Sequence, residues 1–208
     1  MNSERGAASE RLASEMRRII ERLAVVRPPA EELEQAAAAA AAFADRLDTL
    51  AERERSWEIS EAGLDPGHFV AYSPVSGACN AIAPPVRFAL VEHEASRPAI
   101  AGEVTFGPAY EGPPGHVHGG LLAAMFDELL GFAQLSPGFT ATLTVRYFRP
   151  VPLGKRLQLA ANVDRVEGRK RWLKGTCSLE GELLAEAEGL FIAPRSDEDF
   201  LARLAPEG

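Results

Sequence analysis

The sequence predicts an α+β fold in which an antiparallel β-sheet wraps around one long helix, preceded by an N-terminal helical extension. Three observations support this prediction. Six segments from residue 86 onward have strand-like patterns, one helical segment interrupts them, and the two types do not alternate as in a parallel βαβ sheet. With 208 residues, of which 46% are apolar and 25% charged, the chain can form one such domain and an extension.

The N-terminal extension is assigned to residues 1–62. Apolar side chains recur at helical spacing through residues 8–26, and Pro28 and Pro29 are expected to end that helix because proline lacks an amide donor. The alanine-rich segment 30–55 predicts a second helix.

The main domain is assigned to residues 63–195 and a polar tail to residues 196–208. A loop rich in Gly, Pro, Ser and Asn occupies residues 63–85. A central helix is expected over residues 119–135, and strands over residues 86–92, 101–106, 140–148, 156–166, 171–179 and 183–192. Apolar side chains of this domain, among them Phe126, Leu130, Phe132 and Phe139, are expected to pack its core.

Composition excludes several classes of function. The formal charge of −8 makes general binding to nucleic acid or to an anionic membrane surface unfavourable. No segment is long and apolar enough for a membrane span, and the charged N-terminus lacks the core of a secretory signal. Cys79 and Cys177 lie far apart, which suits a reducing compartment, so a cytoplasmic protein is expected. The motifs of serine hydrolases and nucleotide-binding proteins are missing from the sequence.

The most unusual segment is residues 107–120, which runs directly into the central helix. Gly119 and Gly120 weaken a helix start unless the backbone must be approached closely. Free amides there would form an anion or oxyanion site, and His118 stands at the expected N-cap, where it could cap the helix or contact a ligand. His116 and His118 lack further ligands at metal-binding spacing, so no metal is expected.

Asp127 follows Gly120 by seven residues in an apolar helix. It is either a solvent-facing carboxylate or a partly buried general base or nucleophile. Seven residues rise about 10 Å, too far for the Gly120 amide and Asp127 to act on one carbonyl within a chain. Two such helices packed antiparallel would bring these groups together, so if both are catalytic the active unit is at least a dimer.

Basic residues cluster in residues 146–174, with nine Lys or Arg against two acidic side chains. This stretch is either a solvated strand face or a phosphate-binding edge, and its spacing alone does not decide between them.

Residues 110–120, with Asp127 nine residues after His118, resemble the signature of hotdog-fold acyl-CoA thioesterases of the PaaI-type and long-chain acyl-CoA thioesterase-like branch. Residues 140–153, 166–170 and 185–192 continue the resemblance, which spans about residues 72–194. It implies a hotdog fold and an enzyme that hydrolyses the thioester of a fatty or aromatic acyl-CoA. Coenzyme A would then be part of the substrate, and no cofactor is expected. It also implies a homodimer or dimer of dimers with active sites at the interface.

The resemblance also implies roles for individual residues. Gly120, with Gly119, would polarise the thioester carbonyl through backbone amides, and the partner chain's Asp127 would act as nucleophile or general base. Thr140 would position water or the carboxylate, and His118 would orient the thioester and the loop. The residues expected to contact coenzyme A are Arg146, Arg169 and Lys170.

One departure from the family's pattern and two other functions leave alternatives open. Many PaaI-type enzymes have an Asn six residues before the His. This chain has Gly112 there, which leaves open which group assists the nucleophile. A non-catalytic acyl-CoA or lipid-binding hotdog protein is the alternative function. A dehydratase on the same fold ranks lower, because the Gly67-His68-Phe69 segment lacks the proline of that motif.

Overall fold

A computed structural model describes residues 3–50, 70–91 and 99–196. Its described elements are α1 (Ser3–Leu23), α2 (Ala30–Asp48), β1 (Val86–Val91), β2 (Ala99–Val104), a 3-10 turn (Pro108–Tyr110), α3 (Gly119–Ala133), β3 (Phe139–Tyr147), β4 (Leu157–Glu167), β5 (Lys170–Leu179) and β6 (Glu182–Ile192). The expected boundary at residue 63 and most of the predicted tail, from residue 197, lie outside the described residues, as does His68.

The six strands form one antiparallel sheet in the order β1-β2-β4-β5-β6-β3. The helix α3 packs against it through side chains that are completely or almost completely buried, namely Leu122, Met125, Phe126, Leu129, Leu130 and Ala133. This is the predicted α+β arrangement of a hotdog fold, with β1 and β3 at the two edges of the sheet.

Small residues on the sheet allow α3 to lie close to it. A Cβ added at Gly189 would lie 2.8 Å from the Leu130 side chain, and one added at Gly175 would lie 3.3 Å from the ring of Phe126. Phe126 and Leu130 therefore pack the core of the single chain, while Phe132 is half-buried and contacts Phe88 with ring centroids 5.1 Å apart.

The predicted strands agree with the observed ones within two residues at each described end, and so does α3. The first helix differs from the predicted range of residues 8–26. It begins at Ser3 and ends at Leu23, before the two prolines. The backbone amides of Val25 and Val26 still bond to the Arg22 carbonyl, so Pro28 and Pro29 lie in the connection to α2. The second helix ends at Asp48, where the Thr49 hydroxyl bonds to the Arg46 carbonyl at 2.7 Å.

The segment before β1 is fixed from two sides. Ser73 and Ser76 both donate hydrogen bonds from their hydroxyls to the Glu128 carboxylate on α3. Arg17 of α1 donates to the backbone carbonyls of Ala83 at 2.6 Å and Asn80 at 3.0 Å. This segment therefore joins α1 to the central helix. Among the described helices, none has the length and apolar character needed to cross a membrane.

Candidate active site

A tight loop places His118 at the start of α3. Residues Glu111 and Val117 form an isolated antiparallel bridge, and the His118 amide donates to the Tyr110 carbonyl at 2.9 Å. Gly115 occupies the left-handed region at φ +75° and its amide donates to the Glu111 carboxylate at 2.6 Å. These bonds fix both ends of the loop, and so they fix the position from which His118 enters the helix.

His118 is the N-cap of α3, as predicted. Its Nδ1 accepts a hydrogen bond from the Gly120 amide at 3.1 Å, and its own backbone is extended. The side chain is exposed, as is Gly120, while Gly119 is half-buried. The predicted capping role of His118 is therefore observed, and the imidazole occupies the acceptor position of the Gly120 N–H.

Gly112 lies against the backbone of His118. A Cβ added at Gly112 would lie 2.7 Å from the His118 Cα and 3.2 Å from its nitrogen, whereas ordinary contact begins near 3.4 Å. The loop in this conformation has no space for a side chain at residue 112. Its geometry therefore accounts for the departure from the Asn that many PaaI-type enzymes carry at that position.

Asp127 and Thr140 come together as a pair. The Thr140 hydroxyl donates to Asp127 Oδ1 at 2.8 Å, joining the middle of α3 to the start of β3. Asp127 is half-buried and Thr140 is exposed. Asp127 was expected to be either solvent-facing or partly buried. The structure shows a partly buried carboxylate at the boundary between helix and sheet, held by the Thr140 hydroxyl.

A β-bulge brings Thr140 to this position. Leu143 and Val145 face α3, opposite Gly189 and Ala187 of β6, so strict alternation would turn Thr140 to the outer face. The register shifts between Thr140 and Thr142, which leaves Ala141 without a counterpart on β6. Thr140 consequently lies opposite Phe191, whose side chain is in the core, and faces the helix.

Tyr147 contacts the other end of the helix and was missed by the sequence reasoning. Its hydroxyl donates to the Gly119 carbonyl at 2.7 Å, and its side chain remains 49% exposed. Partial burial raises the pKa of the Tyr147 phenol above its ordinary value. The signal that could have found it is alternation, because Leu143, Val145 and Tyr147 share the face of β3 that looks toward α3.

The cationic residues expected to bind coenzyme A are not clustered in the single chain. Arg146 lies on the outer face of the sheet, 3.4 Å from the Glu186 carboxylate. Arg169 donates to the Ala193 carbonyl at 3.1 Å, and Lys170 is exposed opposite Ile192 on β6. Six residues of β6 separate Glu186 from Ile192, so Arg146 and Lys170 lie about 20 Å apart along the sheet.

The site is open on the surface of one chain. His118, Gly120 and Thr140 are all exposed, and β3 pairs with β6 on one side only.

A groove of about 1140 Å³ lies elsewhere, between α1 and the outer face of β1, β2 and β4, and Asp127 does not line it. Within the described ranges, no three His, Cys, Asp or Glu side chains converge to hold a metal ion.

A family model and several curated proteins match part of this chain. A sequence model of the thioesterase superfamily matches residues 114–170. Acyl-coenzyme A thioesterase THEM4 from Bos taurus is 40% identical over 90 residues, which cover 41% of this chain and 37% of the bovine protein. THEM4 from Xenopus laevis is 41% identical over 93 residues, which cover 41% of each protein. The matched region thus spans less than half the length of these curated relatives.

A solved structure is similar over most of the chain. The crystal structure of a thioesterase superfamily protein superposes with a TM-score of 0.75 at 33% sequence identity, covering 88% of this chain and 90% of that one.

Proposed function

This chain belongs to the thioesterase superfamily, and we propose that it hydrolyses the thioester of a fatty or aromatic acyl-CoA to the free acid and coenzyme A. The observation that carries the proposal is the Asp127 carboxylate, held by the Thr140 hydroxyl on the helix whose start presents the exposed Gly120 beside His118. The names of the THEM4 relatives, acyl-coenzyme A thioesterases, support the acyl-CoA substrate.

The proposed chemistry needs one donor to the carbonyl oxygen and one carboxylate near the carbonyl carbon. The Gly120 amide, at the positive end of the helix dipole, polarises the thioester carbonyl, and the substrate oxygen replaces His118 Nδ1 as its acceptor. Asp127 either removes a proton from an attacking water or attacks the carbonyl itself, forming an anhydride that water then hydrolyses. The carbon–sulfur bond breaks, and the thiolate of coenzyme A leaves and takes up a proton. Thr140 fixes the carboxylate orientation in both routes.

We place the two groups on different protomers. The observed helix spans Gly119–Ala133, so seven residues separate Gly120 and Asp127 by about 10 Å along one axis. The strand β3 contacts both halves of the site, Gly119 through Tyr147 and Asp127 through Thr140.

An antiparallel pairing of β3 with the partner's β3 would bring the two halves together. A two-fold axis near the middle of β3 sets Thr140 of one strand opposite Tyr147 of the other, and thereby sets the helix start of one protomer beside the partner's Asp127. The same pairing would also cover the open edge of the sheet. We therefore propose a homodimer, or a dimer of dimers, with two active sites at the interface.

The remaining proposals concern coenzyme A and location. Arg146, Arg169 and Lys170 are the candidates for its phosphates, and their separation along the sheet means that they would contact different parts of the ligand or belong to different protomers. No cofactor or metal is proposed. A cytoplasmic location is supported by Cys79 and Cys177, which are not joined in a disulfide.

The test is release of free thiol from short, long and aromatic acyl-CoAs by wild type and Asp127→Asn. Loss of a general base or nucleophile is expected to lower kcat by about 10²- to 10⁴-fold while acyl-CoA still binds. Glu128→Gln is the matched control, since it neutralises the neighbouring carboxylate, which binds Ser73 and Ser76 and not Thr140. It is expected to lose stability and to keep kcat.

Three other outcomes contradict the proposal in different ways. Binding of acyl-CoA by a wild type that releases no thiol would favour the non-catalytic binding protein. Activity that survives in Asp127→Asn would show that another residue assists the attack. A kcat for Glu128→Gln as low as that for Asp127→Asn would remove the special role given to Asp127.

A further inference from the structure

We propose that Tyr147 is a positioning residue that orients the Gly119–Gly120 peptide group, so that its N–H points at the substrate carbonyl. The inference rests on the proposed function, since it concerns the amide that would polarise the thioester. The residue acts through the backbone and does not touch the reacting atoms.

The hydrogen bond of Tyr147 reaches the same peptide group that carries the Gly120 amide. Tyr147 Oη donates to the carbonyl oxygen of Gly119 at 2.7 Å, and that carbonyl carbon is bonded to the Gly120 nitrogen. The peptide group is planar and trans, so its C=O and N–H point in opposite directions. A donor that fixes the oxygen therefore fixes the direction of the N–H.

The ring of Tyr147 restricts the peptide further. A Cβ added at Gly119 would lie 3.6 Å from the ring Cζ and 3.6 Å from the hydroxyl oxygen, so the aromatic side chain lies in van der Waals range of the first residue of α3. Gly119 and Gly120 have more backbone freedom than other residues, and the first turn of a helix frays most readily. This peptide group consequently needs an external contact more than a typical first turn does.

Tyr147 and His118 hold the peptide group from its two sides. The Gly120 N–H donates to His118 Nδ1 at 3.1 Å, while the Gly119 C=O accepts from Tyr147 at 2.7 Å. When a substrate carbonyl takes the place of the imidazole as acceptor, the amide loses the contact with His118. The contact with Tyr147 remains, because it is made on the opposite side of the peptide.

The phenol also strengthens the amide as a donor. A hydrogen bond to a peptide carbonyl polarises the group and makes its N–H a better donor. A tyrosine phenol is protonated at neutral and mildly alkaline pH because its ordinary pKa is about 10, and partial burial raises the pKa of Tyr147 above that value. The donor is thus available throughout the range in which a thioesterase would be assayed.

Tyr147→Phe tests the inference, because it removes the hydroxyl and keeps the ring. Deleting a whole oxyanion donor typically costs 10²- to 10³-fold in kcat, so loss of its orientation is expected to lower kcat roughly tenfold to hundredfold with little change in KM. Thr49→Val is the matched control. It removes a hydroxyl that donates to a backbone carbonyl at the same distance, 2.7 Å to Arg46, at the end of α2, and is expected to keep kcat.

A double-mutant cycle separates positioning from general stabilisation. Gly120→Pro removes the amide at the second helical position, a first-turn amide with no partner within the helix, and a wild-type circular dichroism spectrum is the check that α3 still forms. In that background the Tyr147→Phe change is expected to have almost no further effect on kcat, because no N–H remains to be oriented. A purely structural role predicts the same fold-loss in both backgrounds and a parallel loss of Tm.

The outcomes distinguish this inference from the proposed function. Wild-type turnover together with a Tyr147→Phe kcat within about twofold of wild type overturns the role of Tyr147 alone. Equal fold-losses with and without the Gly120 amide overturn it as well. A wild type that releases no thiol from any acyl-CoA overturns the proposed function, and the present inference falls with it.

Discussion

Replacement of Gly112 by alanine is expected to disturb the site through backbone crowding. The added Cβ would lie 2.7 Å from the Cα of His118, about 0.7 Å inside the 3.4 Å at which ordinary contact begins. Neither side can rotate away, because Gly112 bonds to the His116 carbonyl and the His118 amide bonds to the Tyr110 carbonyl, both at 2.9 Å. Overpacking of this kind costs about 1–3 kcal/mol.

The loss of folding free energy and the displacement of His118 each predict a measurable change. For a domain of this size, 1 kcal/mol shifts Tm by about 2–4 °C, so Gly112→Ala is expected to melt roughly 2–12 °C below wild type. A shift of His118 by several tenths of an ångström also moves the first turn of α3. Because misplacement by 1 Å can cost about 10²-fold, kcat is expected to fall by at least roughly tenfold.

The assays are thermal unfolding followed by circular dichroism and thiol release from an acyl-CoA. Gly131→Ala is the control for unfolding, since a Cβ there meets nothing within 4 Å and alanine favours the helix. That control is expected to melt at or above the wild-type temperature. A Gly112→Ala protein that melts and turns over as wild type would refute the reasoning, because it would show that the loop yields without cost.

Two further predictions concern Thr140 and Cys177. Thr140→Val removes the donor to Asp127 and is expected to lower kcat by roughly tenfold or more, whereas Thr140→Ser keeps the hydroxyl and most of the activity; equal kcat values for the two variants would contradict this. Burial raises the pKa of the Cys177 thiol from 9.0 to about 12, so its contribution to stability is present below pH 9 and is lost as the pH rises through that interval. At pH 10 that loss is about 1.4 kcal/mol relative to neutral pH. Chemical denaturation at pH 7.5 and pH 10 should therefore show wild type losing this much more stability than Cys177→Ala, and identical losses in the two proteins would contradict the assignment.

Most of the fold could be predicted because its pattern is regular. Strand alternation follows from one face of the sheet packing on α3, and the helix start follows from His118 and the two glycines. The ends of α1 and α2 could not be predicted equally well, since Gly6 and Ala13 are the buried residues of the described part of α1 and α2 has none. Every described residue of α2 except the half-buried Phe43 is exposed.

The site was predicted in part. The sequence singled out Asp127, Thr140, His118 and the glycines; the structure joins Thr140 to Asp127 and the Gly120 amide to His118, and the catalytic roles of these residues stay predictions. The bulge at Ala141 is what turns Thr140 inward, and simple alternation would have placed it outside. Bulges depend on register with a neighbouring strand, which the local sequence does not specify.

Tyr147 and Gly112 show a second limit. Each acts through a backbone contact with a residue that lies elsewhere in the loop or on another element, Gly119 in one case and His118 in the other. Alternation places Tyr147 on the helix-facing side of β3, but neither composition nor spacing identifies the backbone group that such a residue contacts. Such contacts require the three-dimensional arrangement, whereas the apolar periodicity of α3 could be read directly.

The most direct test of a site shared between protomers is activity in a mixed dimer. Asp127→Asn and Gly120→Pro chains, co-expressed with different affinity tags and isolated as the heterodimer, are each expected to be nearly inactive alone. In the heterodimer one site combines an intact Gly120 amide with an intact Asp127 from the partner, so about half of the wild-type kcat per dimer should return. A heterodimer as inactive as its two parents would contradict the assignment of Gly120 and Asp127 to opposite sides of one active site.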